Sequence, residues 1–328
     1  MPSGKILVTG SSGHLGEALI RVLRDRHHEV IGVDILPSPF TDVVASVADR
    51  HAVRTSLAAV RTVVHTATLH KPHVGSHTRQ AFVDTNITGT LTLLEEAVAA
   101  GVGAFIFTST TSAFGRALTP GPGAPAAWIT EDVTPVPRNV YGVTKTAAED
   151  LCELIHRDHG LPVLVLRTAR FFPEPDDRDE VRSAFDDTNV KVNEFLYRRV
   201  DLADVVDAHL LAMVRAPSIG FAKYIVSATT PFTPDDLGRL RNDAPTVVAD
   251  LFPDQPAEYE RRGWSMFGGI DRVYCNARAR ADLGWTPRYD FRHVLDLIAA
   301  GQDHRSPLAR VVGAKGYHAT STGPYTVR

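Results

Sequence analysis

Five short, almost wholly apolar runs recur along the first half of the chain: Lys5 to Thr9 (KILVT), Glu29 to Val33, Arg61 to His65 (RTVVH), Ala104 to Thr108 (AFIFT) and Leu161 to Leu166 (LPVLVL). A strand with one wet face alternates polar and apolar residues. A run without alternation reads as a strand covered on both sides. Between these runs lie stretches with helical spacing. Apolar residues fall at 15, 18, 19, 22 and 23, a short stretch follows from Arg50 to Val60, a long period runs from Gln80 to Ala100, and another from Asn139 to His156. Strands alternating with helices predict a doubly wound α/β fold, a parallel sheet with helices on both faces and ligands at the carboxyl ends of the strands.

After Arg167 the texture changes. Glu174 to Asp187 is acidic and reads as a loop or a short exposed helix. Helical spacing returns at Val200 to Ala216, and Lys223 to Ser227 is a further strand candidate. Residues 1–170 are therefore expected to form the sheet domain, with return segments near 200–228. Residues 171–310 are expected to form a smaller, discontinuous C-terminal substrate lobe, and 311–328 a poorly packed tail. At 328 residues the chain is long enough for two such units.

The charge balance removes several alternatives. Thirty-five basic against 38 acidic residues give a net charge of −3, so no basic excess drives nucleic-acid binding. No run of 18 apolar residues suggests a membrane span. Cys152 and Cys275 stand far apart, in no metal-like spacing, which suits a reducing compartment. The first residues run straight into a strand pattern and leave no room for a signal peptide, so a cytoplasmic protein is expected.

Thr9 to Gly16 reads TGSSGHLG, between the first strand and the first helix. That context makes it a dinucleotide-binding turn of Rossmann type. Gly10 permits the tight turn, Gly13 lets backbone approach a pyrophosphate, and Gly16 lets helix pack close to strand. Ser12, His14 and Leu15 complete the loop and the helix start that would hold the phosphates. Asp34 ends the second strand, where an acid can accept hydrogen bonds from both adenosine ribose hydroxyls. It would repel a 2′-phosphate, and Ile35 to Pro39 offers no Arg or Lys to attract one. NAD is therefore the expected cofactor.

Tyr141 and Lys145, four residues apart in YGVTK, share one face of a helix. A lone phenol has a pKa near 10, and a nearby ammonium favours the phenolate. Tyr141 is thus the candidate base, and Lys145 its partner and a holder of the nicotinamide ribose. The fourth strand ends in a hydroxyl cluster, FTSTTSAFG, Phe107 to Gly115.

These motifs, with DTNITGT around Asn86 and NARARADLGWTPRYDF from Asn276 to Phe291, make the chain resemble an extended short-chain dehydrogenase/reductase. The resemblance is to the NAD-dependent epimerase/dehydratase group that contains the UDP-galactose 4-epimerases. It implies Thr110 as the catalytic hydroxyl beside Tyr141 and Lys145, with Thr111 as a further substrate-side candidate. It places His65, Thr66 and Ala67 beside the cofactor, together with Asn86 and Thr108. It also puts Arg170 at a substrate-facing position, where a guanidinium would take a phosphate or carboxylate, unless Arg170 pairs with Asp176 or Asp177. Phe114 stands where the family usually has a substrate-facing Tyr.

Family dehydratases carry an Asp-Glu pair directly after the catalytic Thr. Thr111 and Ser112 stand there instead, which disfavours a dehydratase. Only 34 positions separate Arg167 from Asp201, short for a nucleotide platform, and the loop from Thr119 to Pro137 could serve as a lid. His65, His70, His73 and His77 are too loosely spaced to read as a metal site. Asp204 and Asp207 read as capping or packing residues, and Trp128, Trp264 and Trp285 as core. The expectation is an NAD-dependent sugar-modifying enzyme, a nucleotide-sugar epimerase first and a sugar or uronate dehydrogenase second. A non-catalytic NAD-binding protein ranks below both. The partners expected are a small sugar or nucleotide sugar and, by resemblance, a second copy of the chain.

Overall fold

The computed structural model describes residues 4–316. In chain order its strands are β1 (Lys5–Thr9), β2 (Val30–Asp34), β3 (Val43–Val44), β4 (Val60–His65), β5 (Ala104–Thr110), β6 (Ala127–Ile129), β7 (Val163–Thr168), β8 (Phe221–Val226) and β9 (Arg272–Tyr274). Seven of them form one sheet in the order β3-β2-β1-β4-β5-β7-β8, with every pair parallel. The order reverses between β1 and β4. Register pairs Thr9 with His65 and Thr110 with Thr168, so the carboxyl ends align along one edge. A crevice at such a reversal is where this architecture holds ligands.

The helices that follow β1 through β7 are α1 (His14–Asp25), α2 (Arg50–Ser56), α3 (Arg79–Phe82), α4 (Gly89–Ala99), α5 (Val140–His159), α6 (Asp179–Ala184), α7 (Asp187–Glu194) and α8 (Leu202–Ile219). Successive strand residues face opposite sides, and both sides are dry. Ile6, Val8 and Ile106 pack with Leu19, Val205 and Trp285 on the α1/α8 side. Leu7, Val63 and Phe105 pack with Leu93 and Cys152 on the α4/α5 side. This double burial is why the strands read as unbroken apolar runs.

The C-terminal third adds α9 (Leu237–Leu240), α10 (Ala244–Leu251), α11 (Gln255–Arg262), α12 (Ala277–Leu283), α13 (Phe291–Ala299) and α14 (Pro307–Val312). Much of it forms a second core, in which Val192, Phe195, Leu240, Val248, Phe291 and Leu295 are buried. Trp128 and Trp264 pack against that core, and Trp285 lies in the first. Asp204 accepts from the backbone N–H groups of Arg288 and Tyr289 and so clips this lobe to α8.

Four expectations change. The long period from Gln80 to Ala100 is not one regular α-helix, because Val83–Thr88 is π-helical between α3 and α4. The loop from Thr119 to Pro137 contains β6, which pairs with β9 and ties the loop to the second lobe. The acidic segment is not simply exposed, since Glu174 and Asp176 are 4% and 5% exposed and face His14 and Arg170. Residues 311–316 are packed rather than loose: α14 lies on α1 and α8, and Val312 is buried. The rest of the expected tail, 317–328, lies outside the described residues.

Candidate active site

A single cavity of about 1100 Å³ opens along the carboxyl edge of the sheet and runs under the C-terminal lobe. It exceeds what one drug-sized ligand fills, and so has room for a cofactor together with a substrate. Its inner end is the turn after β1. Gly10 has φ of +73°, and a Cβ there would lie 2.7 Å from Ala67 N. At Gly16 a Cβ would fall 1.9 Å from Gly10 O, so only glycine lets α1 approach the strand this closely. Ser12, Gly13, His14 and Leu15 line the same end.

Asp34 Oδ2 accepts from Ser12 N at 2.9 Å, and Oδ1 from Leu36 N at 2.9 Å. Each carboxylate oxygen keeps a lone pair for a ribose hydroxyl. Ile35, Thr66, Ala67 and Thr108 also reach the wall. This glycine cradle and acid fit a dinucleotide with free ribose hydroxyls, as NAD has.

Three of the expected cofactor residues, His65, Asn86 and Lys145, do not line the cavity. His65 is buried, with Nδ1 2.7 Å from Thr9 Oγ1 and Nε2 3.0 Å from Thr90 Oγ1. Burial, then the charge of Lys145, lowers its pKa to about 3, so it is a neutral brace between β4, β1 and α4. Asn86 sits in the π-helical stretch. Its Oδ1 accepts from Leu69 N (2.8 Å) and Thr68 Oγ1 (3.0 Å), while Nδ2 donates to Leu69 O (2.9 Å) and Thr144 Oγ1 (2.9 Å). It clamps the cavity-lining loop after β4 to α5. A π turn that aims a side chain inward at a site is a recurrent use of this irregularity.

Thr110 and Tyr141 both line the cavity wall, and Thr110 Oγ1 accepts from Ser112 N at 3.1 Å. Asn139 caps α5, its Oδ1 accepting from Gly142 N at 3.0 Å, and so fixes the turn that carries Tyr141. Burial raises the Tyr141 pKa to about 12, with the Thr110 hydroxyl opposing. The expected lowering by Lys145 is thus not found. Lys145 lies behind the wall, its Nζ 3.9 Å from the Phe107 ring centroid. Burial lowers its pKa to about 7, against the nearby Cys152 and Glu149. Thr111 lines the cavity next to Thr110. Phe114 does not face substrate: it is wholly buried, stacked on Tyr274 and beneath Arg167.

Arg170 reaches the cavity, but its charge is already matched. Nη1 lies 2.6 Å from Asp176 Oδ2 and 3.0 Å from Glu194 Oε1, and Nη2 3.7 Å from Asp177 Oδ1. Burial favours a neutral Glu194, yet Arg170, Arg198 and Arg199 hold its pKa down to about 2. The pairing alternative therefore describes Arg170, and it is not the open anion site.

The lobe supplies cations that no motif announced. Arg272 is 8% exposed, lines the cavity and donates only to neutral oxygens of Gly115 (3.3 Å), Ala117 and Thr119. Arg241 also lines it, with its Nε buried and without a hydrogen-bond partner. Among the described residues neither has a carboxylate partner. His70, His73 and His77 form an edge-to-face ladder on the opposite wall, and no group of three His, Cys, Asp or Glu among the described residues could hold a metal ion.

A family model, the NAD dependent epimerase/dehydratase family, matches residues 6–219. The chain belongs to this family. The family's cofactor is NAD, in keeping with the glycine cradle and Asp34. Among its relatives, an uncharacterised UDP-glucose epimerase of Bacillus subtilis (strain 168) is 28% identical over 183 residues, 50% of this chain and 55% of its own. A dTDP-glucose 4,6-dehydratase of Streptomyces antibioticus is 29% identical over 322 residues, 87% of this chain and 88% of its own. The chain spans only about a third to just over half of the first curated relatives it matches. A solved short-chain dehydrogenase/reductase superfamily protein of Agrobacterium tumefaciens, with bound NAD, shares the fold. It is 24% identical with a TM-score of 0.64, over 90% of this chain and 96% of that one.

Proposed function

We propose that this family member is an NAD-dependent enzyme that oxidises a hydroxyl-bearing carbon of an anionic sugar, in its leading form as a nucleotide-sugar epimerase. The observation that carries the reading is Arg272. A buried guanidinium without a carboxylate shares one cavity with Thr110 and Tyr141, and buried charges are ordinarily paired. Arg241, with its orphan Nε, supports the same anion.

NAD supplies the hydride acceptor when bound. Tyr141 takes the hydroxyl proton, and Thr110 holds the same oxygen in line. Lys145 stands behind the wall over the Phe107 ring, and only with NAD bound would its ammonium come to favour the phenolate and serve the ribose. An epimerase must also let the ketone turn before the proton returns, and the roomy cavity allows it. Despite the long match to a dehydratase, Thr111 and Ser112 place hydroxyls where elimination of water would need a carboxyl.

A second reading, a dehydrogenase of a sugar acid, is favoured by Arg178. It is half exposed at the cavity wall, and its one carboxylate partner among the described residues, Asp176, stands 3.4 Å from Nε. The deciding experiment offers UDP-glucose, UDP-galactose, glucuronate and galacturonate with NAD. NADH absorbance and sugar interconversion are followed together. Interconversion without NADH build-up supports the epimerase; stoichiometric NADH with a free uronate selects the dehydrogenase. Free glucose and galactose are offered beside them as neutral controls, and turnover of these alone would overturn the anionic-substrate reading.

A further inference from the structure

Residues 313–316 leave α14 and return to the first turn of α1, where Lys315 and Gly316 line the cavity beside the glycine loop. Two contacts fix this strap. Lys315 N donates to Glu174 Oε1 at 3.1 Å, and Lys315 Nζ pairs with Glu17. Glu174 Oε1 also lies 3.0 Å from Nε2 of His14, the first residue of α1. The strap is thereby fastened to the helix whose N-terminus faces the cofactor.

Glu17 makes this fastening consequential. It is 5% exposed and sits in the first turn of α1. A carboxylate there suits the helix dipole when the helix stands alone. It also competes for the same positive end that a dinucleotide diphosphate requires. The charges set against it are Arg21, whose Nε is 2.8 Å away but which is more than a third exposed, and the more buried Lys315. A charge held out of solvent is the less screened of the two.

We propose that Lys315 is a positioning residue of the cofactor site: by neutralising Glu17 under the glycine loop, it sets how firmly the diphosphate of NAD is held. The proposal does not depend on which sugar is the substrate. It ties cofactor retention to a residue 298 positions away from the acid it masks.

The test titrates full-length protein with NAD, following intrinsic fluorescence, and with adenosine, which lacks the diphosphate. Lys315→Ala should raise the NAD Kd about tenfold, and Lys315→Arg should stay within about twofold of the unaltered protein. Adenosine affinity should not move. Glu17→Gln should bind NAD at least as tightly as the unaltered protein, and Lys315→Ala combined with Glu17→Gln should recover that affinity. Three results would overturn the proposal. One is an unchanged Kd in Lys315→Ala. Another is a double variant as weak as the single one, which would mean the ammonium meets the diphosphate directly. The third is a parallel loss of adenosine binding, which would mean a disturbed pocket rather than an unmasked charge.

Discussion

Tyr141 sits in a pocket that favours the phenol, at a pKa of about 12, so its work as a base depends on charge brought close to it. Tyr141→Phe removes only the oxygen, and should keep NAD affinity while kcat falls about 10²- to 10⁴-fold. A variant retaining more than a tenth of the rate would rule Tyr141 out as the base. Lys145 gives a pH signature. Its pKa is lowered to about 7 by burial, and a cofactor whose ribose accepts its protons must raise it again. The complex then holds more protons than the free protein above pH 7, so NAD affinity should fall as pH rises, by at most about tenfold per unit. A Kd that stays flat from pH 6.5 to 9 would mean Lys145 does not meet the ribose. Arg272, which the sequence reading did not single out, takes the anion-facing role that the resemblance gave to Arg170. Arg170→Ala takes one of the guanidiniums from buried Asp176 and Glu194, which keep Arg198 and Arg199, and should cost roughly 1.5–3 kcal/mol by urea unfolding. Arg272→Ala should instead raise KM by roughly 2 kcal/mol in kcat/KM terms with little change in kcat. The reverse pattern would restore Arg170 as the anion site. No local motif could separate these two arginines, because Glu194, the carboxylate that decides the matter, lies 24 residues from Arg170 and reaches it only through the fold.

At the scale of elements, six of the seven strands of the main sheet were legible because double burial writes itself as unbroken apolar runs, two-residue β3 being too short to leave such a run, and the glycine turn was legible because its spacing is itself a steric requirement. What escaped has physical reasons. The π-helical stretch Val83–Thr88 keeps nearly the same hydrophobic period as an α-helix, so one widened turn leaves no mark in the pattern. The β6/β9 pair has only three residues a side and sits in Pro- and Gly-rich sequence. Asn86 was picked out by resemblance as a cofactor residue, yet its four hydrogen bonds all go to the loop after β4 and to α5. Asn86→Ala should therefore cost roughly 1 kcal/mol or more of stability, since it leaves the part-buried Leu69 backbone groups without their partner. It should also lower kcat by loosening the loop. If NAD affinity fell with stability untouched, the side chain would have to touch the cofactor after all.

For the whole molecule, the buried histidines set an acid limit. Burial lowers His65 to about 3, and His209 and His304 to about 4. The unfolded chain protonates all three near pH 6.5, so it binds more protons than the folded one below that pH, and stability falls as pH drops. Asp204, raised by burial to about 6, works in the opposite sense with one proton. Urea midpoints should fall between pH 6.5 and pH 4.5, and equal midpoints would contradict neutral burial. The arrangement of α1 also bears on how the chain is made. Its apolar side is covered by α8 and α14, which lie beyond residue 201, while its own strand partners are complete by residue 65. During synthesis from the N-terminus, the helix that carries the phosphate loop can therefore lie on its own strands early, but its outer apolar side is closed in two later steps, by α8 at 202–219 and by α14 at 307–312.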